Sequence, residues 1–180
     1  MIAEAAWQEF SLRKVLFIPS GDTPNKDMHH IDKNIRYAMV EKAIEGNGHF
    51  MISPIERDRQ GPSYTVDTIR ILQREFGDEY EFYFICGTDA VADLPTWKYN
   101  RELLSACHFI CASRPGNEIE IQKSIDYFGE LGRKKIHFLK TPELAISSTI
   151  LRDWIAEKRS VRYLIPDAVI DMIRSNKLYE

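Results

Sequence analysis

Glu81-Phe-Tyr-Phe-Ile-Cys-Gly-Thr-Asp89 is an apolar run that ends abruptly in glycine, threonine and aspartate. Glu81 to Cys86 has the length and aromatic, β-branched character of a buried strand, and the polar residues begin where the strand stops. In an open parallel sheet, ligands gather at the carboxyl ends of strands, so Gly87 and Asp89 stand where chemistry is expected. Four further segments of the same kind flank this one. Lys14 to Pro19 (with Val15 to Ile18 continuously apolar), Phe50 to Ile52, His108 to Ala112 and Lys135 to Leu139 read as strands. Between them lie stretches with helical spacing: 1 to 12, Asp32 to about Glu45, a segment capped by Thr65 and running to about Phe76, pieces around Asp89 to Leu94 and Tyr99 to Ala106, and 118 to 130. Two short helices, about Ser148 to Glu157 and Pro166 to Asn176, close the chain, with Pro166 suited to a first helical position. Strands alternating with helices at this spacing predict an α/β fold with a doubly wound parallel sheet and helices on both faces. No internal repeat interrupts the pattern, and the chain reads as a single domain, 1–180, whose C-terminal part, from about 147, is helical.

Composition narrows the function. The 180 residues are 44% hydrophobic and 28% charged with a net charge of −3, which suits a soluble protein and gives no basic footprint for a nucleic-acid polymer. A small anionic ligand in a local pocket is compatible with that balance. Cys86, Cys107 and Cys111 are odd in number, lie in or beside apolar segments and have no metal-ligand spacing, so they read as buried, reduced thiols of a cytoplasmic protein. No apolar run reaches the length of a membrane span.

A second stretch carries the anion chemistry. In Ile146-Ser-Ser-Thr-Ile-Leu-Arg152 a hydroxyl cluster opens a helix, and an arginine follows one turn later. The first turn of a helix has free N–H groups and partial positive charge. Ser147, Ser148 and Thr149 add donors, and Arg152 adds a permanently charged fork. Serine and threonine are also ordinary helix caps, so the stretch taken alone is no more than a cap.

Together the motifs resemble those of bacterial nicotinate-mononucleotide adenylyltransferases, members of the nucleotidyltransferase superfamily with a Rossmann-like fold. The stretches that carry the resemblance are Phe17-Ile-Pro-Ser, Pro24-Asn-Lys26, Gly61-Pro-Ser-Tyr-Thr-Val-Asp-Thr68, Gly87-Thr-Asp89, Leu94-Pro-Thr-Trp97, Arg114-Pro-Gly116, Ile146 to Arg152 and Arg162-Tyr-Leu-Ile-Pro166. The resemblance implies transfer of AMP from ATP to nicotinate mononucleotide, giving deamido-NAD and pyrophosphate. It places Ser147, Ser148, Thr149 and Arg152 at the ATP phosphates, with Gly87 and Asp89 also on the ATP side, Asp89 toward a ribose. Trp97 would stack on the pyridine, Tyr64 and Thr65 would meet its carboxylate, and Lys26 and Arg114 would contact phosphate. Mg2+ is implied with the ATP, held by nucleotide and water rather than by a protein cage. The histidines at 29, 30, 49, 108 and 137 do not reproduce the family's Gly-Thr-Phe-Asp-Pro-x-His-x-Gly-His loop, whose histidines hold the α-phosphate. The resemblance therefore implies a first, central strand and loop missing from this sequence, a break between the strands at Lys14 and Glu81, and a chain with little activity as written. A catalytically silent mononucleotide-binding domain and an adenylyltransferase for another substrate, such as phosphopantetheine, are the alternatives.

Overall fold

The computed structural model describes residues 1–21, 31–113, 118–141 and 146–179. They divide into two compact units, one of Met1–Arg13 with Ser63–Glu143 and one of Lys14–Pro62 with Leu144–Glu180.

The first unit is built on a parallel sheet of three strands, β3 (Tyr83–Gly87), β4 (His108–Ser113) and β5 (Ile136–Lys140), in that order. The register pairs Tyr83 with His108 and Gly87 with Ala112, then Ile110 with His137 and Ala112 with Leu139. Because successive side chains alternate between faces, Tyr83, Ile85, His108, Ile110, His137 and Leu139 share one face. On that face the first helix, α1 (Ile2–Glu9), packs through Ala6, which is buried together with Ile110 and Leu139 and flanked by Phe10, Leu12 and Ile85. Alanine at this position lets the helix backbone come close to the sheet. Expected over 1 to 12, the helix ends at Glu9, and Ser11 takes a left-handed backbone with φ 49°.

The opposite face carries Phe84 and Phe109. The remaining helices of the unit are α3 (Thr65–Phe76), α4 (Thr88–Asp93), α5 (Asn100–Ala106), α6 (Glu118–Phe128) and α7 (Glu130–Lys135), and a 3-10 turn at Leu94–Thr96 follows α4. Val91, Leu94, Leu103, Leu104 and Ile121 are buried from these elements together with Phe109. Each such side chain contributes about 1.5–3 kcal/mol on burial. Ser124, also buried, donates its hydroxyl to the Val91 carbonyl at 2.7 Å and ties α6 to α4. α7 is absent from the sequence reading, which expected a strand from Lys135. At Gly132 in α7 an added Cβ would meet the Ile125 carbonyl oxygen at 2.6 Å, so glycine is what lets α7 fold back onto α6.

The second unit has a parallel pair, β1 (Val15–Phe17) and β2 (Phe50–Ile52), with Phe17 and Phe50 edge to face at 5.0 Å. β1 is shorter than the expected Lys14 to Pro19, and only Val15 in it is buried, so the expectation of a buried strand there is corrected. α2 (Lys33–Ile44) starts from Asp32, whose carboxylate accepts hydrogen bonds from the amides of Asn34 and Ile35. These bonds, chiefly that from Asn34, hold the Asp32 carboxyl below the usual carboxylate range. α8 (Ser148–Ala156) and α9 (Asp167–Ser175) complete the unit, with Val161, Ile170 and Ile173 buried. Pro166 is the N-cap of α9 rather than its first residue, its carbonyl accepting from Val169 and Ile170. The strands are parallel and flanked by helices as expected, and β1 and β3, expected to lack a common partner, fall in different sheets.

Candidate active site

The hydroxyl-rich stretch from Ile146 to Arg152 has the capped helix start that its sequence predicts. Ser147 is the N-cap of α8, and its hydroxyl oxygen accepts from the Ile150 amide at 3.1 Å. Its carbonyl accepts from Leu151, also at 3.1 Å. The cap thus uses the third and fourth amides of the helix and leaves those of Ser148 and Thr149 without a partner among the described residues. One turn on, Arg152 donates to the Thr149 hydroxyl at 3.3 Å, so the guanidinium is drawn back over the helix start. Ser148 and Thr149 are exposed, while Ser147 and Arg152 are half-buried. The Ser147 hydroxyl caps the helix, and the two unused amides stand in the same turn as Thr149, to which Arg152 donates.

In the other unit, β3 runs into α4 with Gly87 as N-cap. Asp89 is therefore not a cap. It sits in the first turn of α4, with an exposed side chain. Thr65 is likewise the first residue of α3 and not its cap, which is Tyr64. The extended backbone of Tyr64 turns its carbonyl into the helix, where it accepts from Asp67 and Thr68 at 3.0 and 3.3 Å.

Trp97 follows the 3-10 turn and is half-buried. Its ring meets Phe84 edge-on at 6.0 Å and Phe109 at 6.4 Å. Trp97 thus packs on the sheet through the two phenylalanines while staying partly exposed. Lys98 and Tyr99, next in the chain, group with Tyr64, the Lys98 ammonium lying 4.7 Å from the Tyr64 ring and 5.2 Å from the Tyr99 ring. Sequence reading missed this group, although Trp-Lys-Tyr is a visible cation–aromatic signal. Lys26 and Arg114 lie outside the described residues, as do His29 and His30.

The cytidylyltransferase-like family matches residues 1–153. A probable nicotinate-nucleotide adenylyltransferase of Moorella thermoacetica is 44% identical over 179 residues, covering 98% of this chain and 82% of the relative. The chain belongs to the nicotinate-nucleotide adenylyltransferases, within the cytidylyltransferase-like family. A second probable nicotinate-nucleotide adenylyltransferase, from Thermoanaerobacter sp., is 41% identical over 180 residues, covering 99% of this chain and 85% of the relative. Likeness of fold extends to a solved nicotinic acid mononucleotide adenylyltransferase of Plasmodium falciparum in complex with NaAD. It has a TM-score of 0.75 at 19% identity, covering 99% of this chain and 90% of that one. The structure of that enzyme complexed with APC gives 0.72 at 18%. Among the described residues, no helix is long and apolar enough to cross a membrane, and no three His, Cys, Asp or Glu residues group as a metal site.

Proposed function

We propose that this chain transfers the adenylyl group of ATP to nicotinate mononucleotide in the cytoplasm, giving deamido-NAD and pyrophosphate. The observation that carries the reading is the start of α8, where two amides are left unused and Arg152 is folded back beside them. In the reaction a phosphate oxygen of the mononucleotide attacks the α-phosphorus of ATP. The new P–O bond forms as the bond to the β-phosphate breaks, and the electron pair leaves with pyrophosphate. Such a transfer asks the protein mainly to position reactants and to offset charge on the leaving group.

Ser147, Ser148, Thr149 and Arg152 hold the β- and γ-phosphates, and Asp89, after Gly87, accepts from the ATP ribose. Trp97 offers its ring to the pyridine, and Tyr64 and Thr65 meet the pyridine carboxylate. Lys26 and Arg114 are assigned to mononucleotide phosphate. None of these residues is assigned to the α-phosphorus. Mg2+ enters as part of the MgATP substrate, held by nucleotide and water. Pyrophosphate release on mixing the chain with MgATP and nicotinate mononucleotide tests the reading. Calorimetric titration with the mononucleotide alone reads the pocket separately from turnover, and absence of both signals overturns the assignment.

A further inference from the structure

The group at Lys98 goes beyond these assignments. Two cations lie against the Tyr99 ring: Arg70 at 5.3 Å and Lys98 at 5.2 Å. They differ in how their charge is met. Arg70 donates to Asp67 at 2.8 Å and to Glu102 at 2.7 Å, so two carboxylates more than neutralise it. Lys98 has no carboxylate partner among the described residues, and its ammonium is held instead by the faces of Tyr64 and Tyr99. Aromatic faces attract a cation without cancelling its charge, so a full positive charge stays available. Two features fix where it stands. Tyr99 has a left-handed backbone, φ 56° and ψ 35°, uncommon for a large side chain. Tyr64 carries the other ring next to Thr65, where α3 begins.

We propose that the Lys98 ammonium is the specificity-determining charge of the mononucleotide pocket, favouring a pyridine ring that bears a carboxylate over one that bears a neutral amide. The proposal rests on the reading that puts the pyridine on Trp97 with its substituent toward Tyr64 and Thr65. The acid and amide mononucleotides share ribose and phosphate and differ by one negative charge on the ring. A cation that feels that substituent separates them; a cation near the phosphate treats them alike.

The test is calorimetric binding of nicotinate mononucleotide and nicotinamide mononucleotide to the full chain and to Lys98→Gln, Lys98→Arg and Trp97→Ala. In Lys98→Gln the acid is expected to bind about three- to tenfold more weakly, with the amide nearly unchanged. Lys98→Arg should keep the preference, because it keeps the charge. Raising salt from about 0.05 to 0.5 M should shrink the acid-to-amide ratio in the wild type and leave it flat in Lys98→Gln. Equal weakening of both ligands, or no change in either, overturns the proposal while the pocket reading stands. Trp97→Ala serves as the control: if it weakens neither ligand, the pocket reading itself fails and takes the proposal with it. Lys98 is exposed, so its variants are expected to fold as the wild type does.

Discussion

His108 and His137 meet across adjacent strands, Nδ1 of the first 2.8 Å from Nε2 of the second. On the far side, Lys135 Nζ lies 2.9 Å from His108 Nε2. An ammonium has only N–H to give, so His108 Nε2 is the lone-pair nitrogen, and His108 Nδ1–H donates to His137 Nε2. Tyr83 stacks on His108, and Phe10 meets His137 edge-on. The chain Lys135 to His108 to His137 works only with both imidazoles neutral. A proton on either places two donors face to face.

Acid should therefore loosen this corner. Burial, and after it the Lys135 charge, holds both imidazoles below their ordinary value of 6.5, with Glu81 opposing weakly at His108. A histidine whose folded pKa is depressed binds its proton more readily unfolded. Its stabilisation is complete above 6.5 and is lost as pH falls through that value toward the folded pKa. Melting temperature is expected to fall by a few degrees between pH 7.5 and pH 5.5. The fall should be smaller in the double variant His108→Gln, His137→Gln. An equal fall in both proteins removes the histidines from the explanation.

Arg152→Ala should weaken MgATP binding about 10- to 100-fold, the range of a charge-assisted hydrogen bond, and leave the mononucleotide within about twofold. Equal loss for both ligands would remove Arg152 from the ATP phosphates.

Ser147→Ala should cost about 0.5–2 kcal/mol through loss of the α8 cap, whereas Ser147→Gly should cost less because glycine is tolerated at that position. Denaturant midpoints of the two variants decide it, and a neutral Ser147→Ala would mean that its hydroxyl does not cap.

Gly132→Ala should destabilise by about 1–3 kcal/mol, since the added methyl meets the Ile125 carbonyl oxygen at 2.6 Å and backbone cannot yield as a side-chain tip can. A melting temperature equal to the wild type would show that α6 and α7 separate freely.

Much of this architecture is legible along the chain because each strand is a short apolar run bounded by turn residues. β2 matches its expected residues, and β3, β4 and β5 match theirs to within two residues. The Ser147 cap was equally visible, since capping depends on atoms three residues apart. What escaped was set by tertiary contact. α7 is a helix of six residues with Gly132 in its middle, too short and too broken by glycine to announce itself, and it forms packed against α6. The packing of Trp97 on Phe84 and Phe109 joins residues that are distant or on different elements, and the His108–His137 pair spans 29 positions. No local spacing encodes either one.

The cysteines have a consequence for life under oxidants. Burial pushes the thiols of Cys86 and Cys107 up to about 12 and raises that of Cys111. At neutral pH such thiols are almost wholly protonated, and the thiolate is the form that peroxide attacks. Thiols kept protonated in this way are poor targets for peroxide, so the three cysteines are expected to stay reduced where exposed, ionised thiols are oxidised.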